Sequence, residues 1–109
     1  GGGATVPAGS PMVAADGSGD ARVYVRFELR APDARSVKLA GSFSDWTADV
    51  DLKRMPDGRW AALVPLSPGV HDYAFKVDEE RWTTDPFAPK VADGFGGFNS
   101  RLSLVLADS

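Results

Sequence analysis

The stretch Val23-Tyr24-Val25-Arg26-Phe27-Glu28-Leu29 decides the fold. Val23, Val25, Phe27 and Leu29 are apolar and alternate with Tyr24, Arg26 and Glu28. Successive side chains of a strand point to opposite faces, so this period of two places the apolar set on one face and the polar set on the other. A helix would require apolar residues three and four apart. No segment of the chain offers that spacing convincingly.

Working outward, the same grammar repeats. Pro32 and Asp33 end the first strand, and Val37 and Leu39 alternate with Ser36, Lys38 and Ala40 in a second. Residues 41–46 turn the chain, and 51–55 read as a short third strand. Pro56-Asp57-Gly58 is a turn signal. Residues 59–66 form the next strand, closed by Ser67-Pro68-Gly69. Residues 70–78 follow, with His71, Tyr73, Phe75 and Val77 on one face and Asp72, Ala74, Lys76 and Asp78 on the other. Residues 81–84 pair back, Asp85-Pro86 and Pro89 make an irregular connection, and 101–107 close the domain with Leu102, Leu104 and Leu106 on one face. Six or seven short strands with regularly spaced turns predict an all-β fold, an immunoglobulin-like antiparallel β-sandwich. The disulfide of antibody domains is missing, because the chain has no cysteine.

Residues 1–21 are dominated by Gly, Ala, Ser, Pro and Asp, and bury too little apolar surface to offset the entropy of ordering them. They read as a flexible linker, and 22–109 as the folded domain. The opening Gly-Gly-Gly lacks the basic end and apolar centre of a signal peptide, and reads as the start of a piece of a longer protein. Other domains of that parent are expected neighbours. The 109 residues carry a net charge of −3 with Lys and Arg scattered, so nucleic acid is not an expected partner. No apolar run approaches membrane-spanning length, and no direct membrane contact is expected.

Metal and catalytic sites find little support. His71 is the one histidine and there is no thiol, so no metal set is expected. His71 reads as a core or strand-end residue beside Tyr73 and Phe75. Asp16-Gly17-Ser18-Gly19-Asp20 lacks the ligand count and closing Glu of a calcium loop. Asp78, Glu79 and Glu80 read as a solvated turn rather than the spaced pair of glycoside hydrolysis. No cofactor and no enzymatic activity are expected.

What remains is aromatic. Trp46 closes Gly41-Ser42-Phe43-Ser44-Asp45-Trp46, and Trp82 follows a charged hairpin. Both lie at turns or strand ends, where flat rings can stack on the apolar face of a sugar. Trp60 alternates with Ala62, Val64 and Leu66 and reads as structural. Asp93-Gly94-Phe95-Gly96-Gly97-Phe98-Asn99 is glycine-rich; a strand follows it, which argues against a phosphate cradle at a helix start. Phe95 offers an apolar contact and Asn99 a donor and an acceptor for hydroxyls.

Residues 23–106 resemble the family-48 carbohydrate-binding module, the type found in the AMP-activated kinase β subunit and before branching and debranching enzymes. The matching residues are 37–46, Pro68 to Asp78, Trp82, Asp85-Pro86 and 94–100. The resemblance implies binding of α-1,4-glucan such as glycogen, starch or maltooligosaccharide. It implies that Trp46 and Trp82 stack on glucose rings, Asn99 hydrogen-bonds sugar hydroxyls and Phe95 packs against the oligosaccharide. Two departures stand out. The strand lysine that contacts sugar in the kinase module falls on Ala74, with Lys76 two residues on as a replacement contact. The hairpin before Trp82 reads Asp-Glu-Glu-Arg-Trp where the family often has Asp-Gly-X-Trp. The alternative reading is a protein–protein docking or structural sandwich that has lost sugar binding.

Overall fold

The computed structural model describes residues 3–6, 13–15 and 21–105. It is a sandwich of two antiparallel sheets. One sheet contains β1 (Gly3–Thr5), β2 (Val13–Ala15), β3 (Ala21–Arg30), β6 (Lys53–Arg54) and β7 (Arg59–Leu66). The other runs β10 (Lys90–Ala92), β11 (Phe98–Leu104), β8 (Gly69–Val77), β4 (Val37–Gly41), β5 (Val50–Asp51), with β9 (Arg81–Thr83) also paired to β8.

The alternation in the sequence is the alternation of burial. Val23, Val25, Phe27 and Leu29 of β3 face Val37, Leu39, Tyr73, Phe75 and Val77 of the opposing sheet, and all are buried. Trp60 is buried as expected, with its indole N–H donating to the Ala31 carbonyl at 2.9 Å. His71 is half-buried, donates from Nε2 to the Ser67 carbonyl at 2.7 Å and meets Phe43 edge-on. Fully burying side chains of the Phe, Leu or Val type contributes about 1.5–3 kcal/mol each, so this interlayer supplies the main favourable term.

Three expectations change in detail. Residues 51–55 are not one strand: β5 and β6 belong to different sheets, because buried Leu52 turns inward between them and its N–H donates to the Val37 carbonyl at 2.9 Å. The irregular connection after Pro89 contains β10, paired with β11. β11 begins earlier than expected, at Phe98; Leu104 is buried and Leu102 half-buried, while Leu106 lies outside the described residues. The expected linker also lies largely outside the described residues. Its two described pieces run as strands along one edge of β3, Gly3–Thr5 against Glu28 to Arg26 and Val13–Ala15 against Val23 to Ala21. An open strand edge presents unpaired N–H and C=O groups, which these segments pair.

A buried polar cluster pins the connection after β9. Asp85 is fully buried; it accepts from the Tyr73 hydroxyl at 2.5 Å and from the Phe87 N–H at 2.9 Å. Its own N–H donates to the Ser100 hydroxyl at 2.7 Å. Burial, and then the hydrogen bond to Asp85, push the Tyr73 phenol above its ordinary range. Three elements are thereby tied at one point, which fixes where Thr83 and Thr84 stand beside Trp82.

Candidate functional site

The six-stranded sheet turns one face to the core and the other to solvent, and the solvent face carries the expected residues. On β8, Asp72, Ala74 and Lys76 alternate with the buried Tyr73, Phe75 and Val77. Ala74 lies opposite Ala40 of β4, and Lys76 opposite Trp82 of β9. Trp46, Trp82, Phe95 and Asn99 all line one open groove of about 790 Å³ whose floor includes Ala74.

Trp46 reaches this groove through a tight turn. Gly41 ends β4 with no room for a side chain: a Cβ there would stand 2.6 Å from the Asp72 carbonyl. Its N–H donates to the Ser44 hydroxyl at 3.1 Å, and its carbonyl accepts the Trp46 N–H at 2.9 Å. Asp45 and Trp46 both take left-handed backbone conformations, with φ of 52° and 60°. Non-glycine residues rarely adopt these values, and a bulky one held there is a mark of a constrained site.

Trp82 is set by the hairpin before it. Asp78 and Glu79 occupy left-handed positions that glycine would favour, with φ of 55° and 62°. Their carboxylates anchor them. Asp78 accepts from the N–H groups of Arg35 at 2.6 Å and Ser36 at 3.1 Å, which hold its carboxyl below the ordinary range. Glu79 pairs with Lys38 at 2.8 Å. The longer, glycine-free hairpin therefore still delivers Trp82 to the groove. Lys76 does not line the groove; its Nζ lies 5.3 Å from the centroid of the Trp82 ring, a cation–π contact.

The glycine-rich loop is organised by Asp93. Its carboxylate accepts from the Phe95 N–H at 2.7 Å and the Gly97 N–H at 3.0 Å, and its own N–H donates to the Gly97 carbonyl at 3.1 Å. Gly94 and Gly96 supply the positive φ values, 84° and 91°, that this tight loop needs. The result holds Phe95 out in solvent at 94% exposure. Trp46 is 41% exposed, Trp82 50% and Phe98 59%. Four large apolar rings thus remain uncovered around one concavity. Isolated exposed apolar residues need no explanation, but a cluster rimmed by polar groups marks an interaction surface.

Both carboxylates of the groove are engaged within the protein. Asp72 makes a two-point contact with Arg101, 2.7 Å to Nε and 3.0 Å to Nη2, and this hydrogen bonding holds its carboxyl below the ordinary range. Asp93 is occupied by the loop amides. The Asn99 carboxamide hydrogen-bonds no other described residue, leaving its donor and acceptor for a ligand. Among the described residues no set of three or more His, Cys, Asp or Glu could hold a metal ion, and no helix is long and apolar enough to cross a membrane.

Sequence reasoning missed Phe98, Thr83, Thr84 and Lys90 as groove residues. Strict period two groups Phe98 with the buried Ser100, yet its place at the end of β11 leaves it exposed. Lys90 was hidden because its strand was not foreseen.

Comparison with known proteins gives this geometry a context. The model of the family described as the glycogen recognition site of AMP-activated protein kinase matches residues 23–108. The chain is 32% identical over 72 residues to Protein PTST homolog 2, chloroplastic, from Arabidopsis thaliana, covering 66% of this chain and 13% of that protein. It is 41% identical over 54 residues to the 1,4-alpha-glucan branching enzyme GlgB of Deinococcus radiodurans, covering 49% of this chain and 8% of the enzyme. With the same enzyme of Bacillus caldolyticus it shares 38% identity over 61 residues, 54% of this chain and 9% of the enzyme. The matched segment is thus a small fraction of each relative's length. The chain belongs to the glycogen-recognition family of carbohydrate-binding modules, the family-48 type.

Proposed function

We propose that this carbohydrate-binding module binds α-1,4-glucan, stacking glucose rings on Trp46 and Trp82, and carries out no chemistry of its own. The observation that supports it most is the convergence of Trp46, Trp82, Phe95 and Asn99, distant in sequence, on one open groove with their rings uncovered. A flat ring presents an apolar face to the C–H face of a sugar. Asn99 beside it serves both members of a hydroxyl pair. Asp72 and Asp93 are both engaged within the protein, so the groove suits a neutral, hydroxyl-rich ligand.

Three or four contacts of about 1–1.5 kcal/mol each give a Kd from about millimolar to tens of micromolar. Such weak binding suits a tethered module, because repeated engagement along a polymer raises the effective affinity. The relatives named above are much longer than their matched segments, which supports a place for this module beside other domains of a longer chain.

The test is a maltoheptaose or β-cyclodextrin titration followed by tryptophan fluorescence. The expected result is saturable quenching or blue shift that Trp46→Ala abolishes while the circular dichroism spectrum is retained. Unaltered maltoheptaose affinity in Trp46→Ala would sink the stacking assignment. No binding by the unaltered protein would leave the aromatic groove as a protein-docking surface.

A further inference from the structure

The aromatic groove does not end at Trp82. A second cleft, of about 550 Å³, opens where the end of β3 and the following turn, Leu29 to Ala34, meet β9 and residue 90. The two cavities share three lining residues, Thr83, Thr84 and Lys90. β9 is the wall between them. Trp82 lies opposite Lys76 on the solvent face of the sheet, whereas Arg81 and Thr83 lie opposite the buried Val77 and Phe75 and so turn toward the second cleft. β8 is the one described strand with which β9 pairs, so no described strand pairs along its far edge.

The chemistry of the second cleft differs from that of the first. No aromatic ring lines it, so nothing there can stack. Arg30, Arg81 and Lys90 supply N–H donors, Asp33 and Asp78 supply carboxylates, and Thr83 and Thr84 supply hydroxyls. One Asp78 oxygen already accepts from Arg35 and Ser36. Beyond these hydrogen bonds, the Arg81 charge lies close enough to Asp78 to help hold that carboxyl below its ordinary range, while the side chains of Arg81, Lys90 and Asp33 make no hydrogen bond or close ion pair with another described residue. Donors and acceptors of both signs, with little net charge, match a neutral polyol better than an anion or an apolar chain.

Resting on the glucan reading above, we infer that the second cleft is a continuation subsite for the polymer. A glucan longer than the aromatic groove leaves it past Thr84 and Lys90, rounds the edge of β9, and is held by hydrogen bonds from Arg81 and Asp33. Trp82 then stands in the middle of the binding path, with stacking on one side of it and hydrogen bonding on the other.

The test compares maltotetraose with a long linear maltodextrin, titrated by calorimetry into the unaltered protein, Arg81→Ala and Asp33→Ala. Arg81 and Asp33 line the second cleft and not the first. The expected result is that maltotetraose binds all three proteins alike, within about twofold, while the maltodextrin binds the unaltered protein about tenfold more tightly than it binds either variant. Part of the advantage of a long chain is statistical, from overlapping registers; that part persists in the variants, so the comparison isolates the cleft. A maltodextrin affinity unchanged in both variants overturns the subsite, as does an equal loss for both sugars. Should Arg81→Ala fail to fold, Asp33→Ala, in the exposed turn, decides by the same criterion. Failure of both sugars to bind the unaltered protein is a distinct outcome: it overturns the glucan reading, and the subsite falls with it.

Discussion

Trp46 carries a conformational burden that the fold itself does not require. For an L-residue with a Cβ, the left-handed conformation it adopts costs about 1–2 kcal/mol relative to glycine. Its ring is 41% exposed, so core packing is not what holds it there. The expected signature is a difference between two null variants. Neither Trp46→Gly nor Trp46→Ala should bind glucan, but Trp46→Gly should be more stable by about 1 kcal/mol in urea denaturation. Equal stabilities would show that position 46 does not hold φ near 60° in solution. Lys76 is a second residue whose role follows from placement. Expected from sequence as a sugar contact, it stands over the Trp82 ring at 5.3 Å. Lys76→Met keeps the aliphatic stem and removes the charge. Loss of a partly exposed cation–π contact, about 0.5–1 kcal/mol, predicts a two- to fivefold weaker maltoheptaose affinity. A loss as complete as that of Trp46→Ala would instead make Lys76 a direct ligand of the sugar.

At the scale of elements, the 93–97 loop and the 78–80 hairpin solve the same problem differently. The loop uses glycines for its positive φ positions and one carboxylate to close it. The hairpin has no glycine and relies on Asp78 and Glu79, each fixed by partners outside the turn. Asp93→Ala should therefore leave the sandwich intact, accelerate amide hydrogen exchange at Phe95 and Gly97, and weaken glucan binding by about three- to tenfold. Reordering a freed segment takes about 0.5–1.5 kcal/mol from binding. Unchanged exchange at Phe95 and Gly97 would show that Asp93 does not organise the loop. These elements also mark what sequence could reveal. β3, β4, β7 and β8 were legible because each buries one face and so displays the period of two. β5 and β6 were fused because a single inward residue, Leu52, separates two-residue strands in different sheets. β10 was missed because three residues between Pro89 and Asp93 are too few to show a period. Trp46, Trp82, Phe95 and Asn99 were legible as types suited to sugar, but their grouping depends on long-range register, and only the family resemblance pointed to it. Thr83, Thr84 and Lys90 had no such signal.

Across the whole molecule, the division between what folds and what is appended can be tested at the β3 edge. The core residues extend from Val23 to Leu104, and of residues 3–6 only Ala4 packs against them. β1 and β2 pair along one edge of β3, with Gly3 lying close to Asp85 and Phe87. Removing residues 1–20 should therefore leave a domain that unfolds in one cooperative thermal transition and retains the groove and its maltoheptaose affinity, because no groove residue precedes Trp46. The bared edge is the predicted weakness. β3 is ten residues long, and a long strand with open N–H and C=O groups is a template for edge-to-edge pairing. Sedimentation should accordingly show the shortened protein self-associating at concentrations where the full chain remains monomeric. Loss of the cooperative transition on removing residues 1–20 would show instead that the N-terminal strands are integral to the sandwich rather than a covering for its edge.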